Sequence, residues 1–134
     1  MTATMKLLSD PARLRILMVL AKHELCVCQI MGVLGISQPL VSRNLALLNN
    51  AGFLDERKEG KLVFYSLKKD MVPARRKIFG VLSETLKSDS ILKNDLRSLR
   101  DCRELQKRTG KCDMKTFSDF LNKKKRKRLR SGGI

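Results

Sequence analysis

The sequence predicts a mostly helical α+β fold: a winged helix-turn-helix domain with a two-stranded β-hairpin wing, followed by C-terminal helices. Three features predict it. Two short helical segments meet at Gly35-Ile36-Ser37, a tight turn of the kind that crosses one helix against another. A pair of strand-like segments follows directly behind the second of them, where a wing would lie. The apolar residues, 43% of the 134, are almost all aliphatic, with aromatics only 4%, and they recur at helical spacing. A chain of this length holds one ordinary core, which serves roughly 100–200 residues. Residues 1–90 are therefore expected to form the winged helix-turn-helix and dimerisation domain, 91–122 a C-terminal helical extension, and 123–134 a basic disordered tail.

Taken in order, Ser9-Asp10-Pro11 marks a helix start, because a short acceptor side chain caps orphan amides and proline suits the first helical position. The helix from Ala12 to about Lys22 sets Leu14, Leu17, Met18 and Ala21 three and four residues apart, one stripe for burial. Cys26 to Leu34 is a second apolar segment, stopped at Gly35, where a left-handed residue commonly ends a helix. Ser37 is expected to cap a third helix, Gln38 to about Asn50. It buries Val41, Leu45 and Leu48 and leaves Gln38, Ser42, Arg43, Asn44 and Asn49 on other faces; Ala51-Gly52 closes it. Phe53 to Arg57 and Leu62 to Leu67 read as strands around the charged turn Lys58-Glu59-Gly60-Lys61. Helical period returns from Val72 to Lys87, with Ala74, Ile78, Leu82 and Leu86 every four residues. It returns again from Ile91 to about Lys107, with Leu92, Leu96 and Leu99 on one side and Arg97, Arg100, Arg103 and Lys107 among the polar positions. Thr109-Gly110 ends that helix, and Phe117 to Leu121 adds a turn before Lys123 to Arg130, seven basic residues in eight, which cannot build a core.

Twenty-nine Lys and Arg against thirteen Asp and Glu give a net charge of +16, an imbalance that points to a polyanionic partner. Residues 1–90 carry +6 and residues 91–134 carry +10. No stretch approaches the ~20 apolar residues needed to cross a bilayer, and the first residues do not resemble a secretory signal, so a cytoplasmic location without membrane partners is expected. In that reducing compartment the four cysteines read as free thiols, metal ligands or redox sensors rather than structural disulfides. One histidine, no glycine-rich phosphate loop and no clustered carboxylates leave no acid, base or metal centre for catalysis, so an enzyme is not expected.

The third helix carries the side chains that duplex recognition requires. Arg43 can grip guanine O6 and N7 bidentately, and Gln38 and Asn44 can do the same for adenine N6 and N7. Ser37 and Ser42 suit phosphates, and Arg57, Lys58 and Lys61 of the hairpin suit the flanking backbone or minor groove. Double-stranded DNA is the expected partner. The apolar stripe Ala74, Ile78, Leu82 and Leu86 has little left to pack against inside so small a domain, so it is the expected homodimer interface. A twofold dimer would set two reading helices about one DNA turn, ~34 Å, apart on a palindromic operator.

Several blocks together resemble the arsenic-repressor (ArsR/SmtB) family of transcriptional repressors. Leu8-Ser9-Asp10-Pro11-Ala12-Arg13-Leu14-Arg15-Ile16-Leu17 looks like its first block, and Glu24-Leu25-Cys26-Val27-Cys28 is similar to its metal-binding box. Ser37-Gln38-Pro39-Leu40-Val41-Ser42-Arg43-Asn44-Leu45 resembles its reading helix and Ala51-Gly52-Phe53-Leu54 the exit from it. The resemblance covers about residues 5–87 and implies a homodimer that blocks a promoter until an inducer binds.

For the inducer the resemblance implies a thiophilic metal or metalloid at Cys26 and Cys28: arsenite, antimonite or a methylated arsenical. No cofactor is required otherwise. In a regular helix, residues two apart point to roughly opposite sides, so the two thiols can share an ion only where the turn is extended or unwound. Members that sense trivalent arsenic place a third cysteine where this chain has Met31. The third thiolate would then come from Cys102 or Cys112, or be absent, in which case a methylated arsenical or mercury fits better. Zinc-type sites need nitrogen or carboxylate partners as well, and His23 is the one histidine. A redox switch on the same thiols, inert buried thiols, and a non-inducible architectural nucleic-acid-binding protein remain as alternatives. The basic tail either adds counterion release on DNA or is a solvated end.

Overall fold

The computed structural model describes residues 6–109. Among the described residues, after helical residues 6–8, come α1 (Pro11–Lys22), β1 (Leu25–Cys26), α2 (Val27–Leu34), α3 (Gln38–Asn50), β2 (Leu54–Glu59), β3 (Leu62–Leu67), α4 (Pro73–Leu86) and α5 (Ser90–Thr109). The strands form an antiparallel sheet in the order β1-β3-β2. The expected fold class is therefore observed, with a third short strand that the sequence did not announce. The segment expected to begin a helix at Cys26 instead runs extended through Leu25 and Cys26, opposite Tyr65 and Phe64 of the wing.

Local chemistry sets most boundaries. Asp10 accepts from the Arg13 N–H at 3.1 Å, with Pro11 in the first turn, so α1 begins on a capped end. Gly35 is left-handed (φ 67°) and its N–H bonds the Met31 carbonyl at 2.8 Å, which ends α2 and turns the chain toward α3. At the far end of α3, Gly52 (φ 85°) donates to the Asn49 carbonyl and Phe53 to that of Leu48, a paired closure that needs the positive φ of glycine. The wing pairs Leu54 with Leu67 through Glu59 with Leu62, reversing at Gly60-Lys61, the second half of the predicted turn, because β2 runs two residues further than expected. Asp89 accepts from the N–H groups of Ile91 and Leu92, capping α5.

The core is one aliphatic cluster around Ile16, Leu17, Leu20, Leu25, Ile30, Val41, Leu45 and Leu48, closed by Phe53. Helix α5 belongs to it. Its Leu99, Cys102 and Leu105 are buried in the cluster, and it packs against α1 and α2. The division drawn at residue 90 thus falls inside a shared core. A bidentate ion pair fixes that docking: the Arg15 guanidinium donates to both oxygens of Asp95 at 2.9 Å, and its Nη2 also donates to the Leu34 carbonyl at 2.8 Å. Asp95 is 2% exposed. A buried carboxylate is tolerated where a planar cation satisfies it in this way, and the bond raises the Arg15 pKa. No helix among the described residues is long and apolar enough to cross a membrane.

Candidate nucleic-acid interface and thiol site

Helix α3 has two unlike faces. Val41, Leu45 and Leu48 are buried, while Ser37, Gln38, Ser42 and Arg43 are all exposed. Ser37 occupies the N-cap position in extended conformation but makes no capping bond, contrary to the expected cap, so its hydroxyl is left toward solvent.

Asn44 departs from the sequence reading. It is 1% exposed, with its Oδ1 3.5 Å from Arg13 Nη1 and its Nδ2 without a hydrogen-bond partner among the described residues. The reason is helical geometry: at about 100° per residue, position 44 falls only about 40° from Leu48, inside the buried arc. Its i+3 and i−4 relations to Val41 and Leu48 were the available signal. Arg13 also donates from Nε to the Leu7 carbonyl at 2.6 Å, tying the chain before α1 to α3. Asn49, expected on an outer face, donates to Glu56 at 2.9 Å.

The wing cations divide. Arg57 is exposed, yet its guanidinium bonds Glu24 at 2.7 Å and Glu59 at 2.7 Å and lies 4.8 Å from the centre of the Phe64 ring. These bonds raise the Arg57 pKa and lower that of Glu24. Its charge is largely neutralised within the protein, so a contact to phosphate would have to displace carboxylates. Lys58 and Lys61 are exposed and form no ion pair among the described residues.

Cys26 and Cys28 are free thiols, the first buried and the second exposed. Cys26 lies outside α2 with extended backbone (φ −91°, ψ 171°), and its N–H donates to Gln29 Oε1 at 3.1 Å. The two cysteines therefore do not occupy one continuous helix. Among the described residues no three His, Cys, Asp or Glu side chains gather into a metal-holding group. Cys102 is 1% exposed in α5 and is disulfide-bonded, against the expectation of free thiols, metal ligands or redox sensors rather than structural disulfides. It therefore offers no thiolate in this state. Cys112, the turn expected at Phe117 to Leu121 and the basic run Lys123 to Arg130 lie outside the described residues.

The proposed dimer stripe is not continuous. No residue of α4 is fully buried. Ile78 and Leu82 join Val81 and Leu8 along one groove, whereas Leu86 turns toward Leu14 and Leu92 of the same chain and Ala74 is solvent-exposed. Val81, 66% exposed, is the apolar residue that the every-fourth spacing missed.

Comparison with known proteins agrees with this geometry. Residues 10–56 match the family model described as bacterial regulatory protein, arsR family. An uncharacterized HTH-type transcriptional regulator of Methanocaldococcus jannaschii is 43% identical over 68 residues, which cover 50% of this chain and 76% of that one. The chain belongs to the arsR family of bacterial regulatory proteins. The arsenical resistance operon repressor of Escherichia coli K12 is 49% identical over 63 residues, covering 46% of this chain and 54% of the relative. The match thus spans about half the length of the first curated relatives. Among solved structures, reduced HlyU from Vibrio cholerae superposes with a TM-score of 0.54 at 30% identity, covering 63% of this chain and 85% of that one. The family is one of regulators, in keeping with a non-enzymatic reading.

Proposed function

We propose that this arsR-family chain is a homodimeric transcriptional repressor that reads duplex DNA with α3 and is released by a thiophilic metal or metalloid held at Cys26 and Cys28. The observation that carries the reading is the split of α3: its apolar face is locked in the core while Gln38, Ser42 and Arg43 stand in solvent. A helix held rigidly from behind presents base-reading groups at low entropic cost. Lys58 and Lys61 of the wing supply phosphate contacts, which position the protein without specifying sequence. The groove of Ile78, Val81, Leu82 and Leu8 supports pairing of two copies, which would place two reading helices about 34 Å apart on an imperfect palindrome.

The decisive experiment selects duplexes from a random library and compares wild type with Arg43→Ala. A bidentate arginine contributes about 1–3 kcal/mol of discrimination, so the variant should lose roughly tenfold to a hundredfold in preference for the selected duplex. Unchanged selectivity in a folded variant overturns the reading.

Support for the switch comes from where Cys26 sits. It ends β1, pairs with Phe64 of the wing and immediately precedes α2. A bond formed at its sulfur therefore pulls on the wing and on the helix behind α3 together. Two thiolates with no third ligand group among the described residues suit a methylated arsenical or mercury; arsenite or antimonite would need a third thiolate, which disulfide-bonded Cys102 does not supply. Methylarsenite, arsenite, cadmium and an oxidant should be titrated into the protein–DNA complex with wild type, Cys26→Ser and Cys28→Ser. Release of wild type by the thiophile and not of either variant is expected. Equal release of all three removes these thiols from the switch, and release by oxidant alone favours a redox device.

A further inference from the structure

Helix α5 does more than close the core. Its outer side and the end of α1 form a groove of about 500 Å³ lined by Lys22, Lys93, Arg97, Arg100 and Arg103 over Leu96 and Leu99. All five cations are exposed, and none takes part in an ion pair among the described residues. The acidic residues of the helix are elsewhere: Asp95 is buried against Arg15, Asp101 is 9% exposed, and Glu104 bonds Arg108 at 2.8 Å. Among the described residues no carboxylate lines the groove. Helix α3 and α5 both pack on the α1–α2 pair but make at most marginal contact with each other. The groove is therefore a separate surface from the reading helix.

From this we infer that the Lys22–Arg103 groove is a second, sequence-independent binding surface for the phosphate backbone of duplex DNA beyond the segment read by α3. It rests on the duplex-binding reading above. Five like charges held together without counter-charges repel one another and gather anions, and a polyanion gains free energy by releasing them. From Lys93 to Arg103 the helix rises about 15 Å, enough to follow several phosphates at 3.4 Å of axial rise per nucleotide. A lipid surface fits less well, because Leu92, Leu99 and Leu105 of α5 are spent in the core and one exposed isoleucine, Ile91, makes no insertable face.

The test uses the full chain and a random-sequence duplex, with affinity followed by anisotropy as salt is raised. The quadruple variant Lys93→Gln, Arg97→Gln, Arg100→Gln, Arg103→Gln removes four charges from exposed positions, and circular dichroism checks its fold. Each phosphate contact contributes about 0.9 to the slope of log affinity against log salt. The wild type should therefore be steeper by between about three and four, and lose about 150-fold more affinity between 50 and 200 mM salt. The charge-keeping variant Arg97→Lys, Arg100→Lys, Arg103→Lys should retain the wild-type slope. An unchanged slope in the quadruple variant overturns the inference, as does a Lys variant that behaves like the Gln variant. Loss of binding to poly-glutamate or to anionic vesicles alone, with DNA binding intact, assigns the groove to another partner and overturns it too. Arg43→Ala separates the two surfaces: it should lose selectivity while keeping the salt slope. A wild type that binds no duplex overturns the reading of α3 itself.

Discussion

Helices α3 and α4 have nearly the same length, 13 and 14 residues, and both carry apolar residues at helical spacing, yet they end in opposite situations. In α3 four residues are buried and the apolar face is completed within the chain; in α4 none is buried. Ile78, Phe79 and Leu82 touch the core only in part, and Val81 is two-thirds exposed. Amphipathic pattern alone therefore does not say where an apolar face is satisfied. For α3 the partner is α1 and α2 of the same chain, whereas α4 still has surface to cover, which is why we assign it to a second copy.

Substitutions can break this comparison. Leu45→Ala in α3 deletes a fully buried side chain, and should cost about 3 kcal/mol in urea unfolding, within the range for core leucines. Leu82→Ala in α4, studied at concentrations too low for pairing, should cost less, about 1–2 kcal/mol, since a partly buried leucine loses less burial. Comparable costs at the two positions would show that α4 is an ordinary core helix. The complementary change, Ile78→Glu with Leu82→Glu, should keep the fold and raise the dimer dissociation constant by about a hundredfold or more, because two carboxylates would be forced into an apolar seam. Sedimentation showing an unaltered dimer would remove α4 from the interface.

The smallest expected effect concerns the junction of α1 with α5. Burial, then the positive charge of Arg103, lowers the pKa of His23 below its ordinary 6.5, with Glu24 opposing. The folded state thus binds the His23 proton less readily than the unfolded chain. Stability from this group is present above about pH 6.5 and is lost as the pH falls from there toward the depressed folded value. His23→Gln should flatten the fall in melting temperature between pH 7.5 and 5.5. An identical slope in the variant would mean that burial and Arg103 together do not perturb this residue in the fold.

These contrasts also show how legible the molecule is from its sequence. Helix α3, the exposure of its Gln38, Ser42 and Arg43, and the hairpin behind it follow from spacing and punctuation. Asn44 could have been placed correctly by the same arithmetic, being three residues from Val41 and four from Leu48. Arg57 could be placed only in part: Glu59 lies two residues along the same strand, but Glu24, its other partner, is 33 residues away. The basic groove was equally hidden. Arg97, Arg100 and Arg103 were visible as polar positions of a helix, but not that Lys22 would lie beside them, and the family model stops at residue 56.

The sequence by itself determined what depends on neighbours along the chain. Asp10 and Pro11 start α1, Gly35 and Gly52 end α2 and α3, and apolar residues three and four apart choose each helix's buried side, since capping and helical periodicity act over a single turn. The tertiary structure alone decided what depends on charges and surfaces meeting from afar. The Arg15 and Asp95 side chains that dock α5 are 80 residues apart, and β1 exists because Cys26 lies opposite Phe64. Such pairings offset the desolvation of their groups only in assembled geometry, and no local pattern records them.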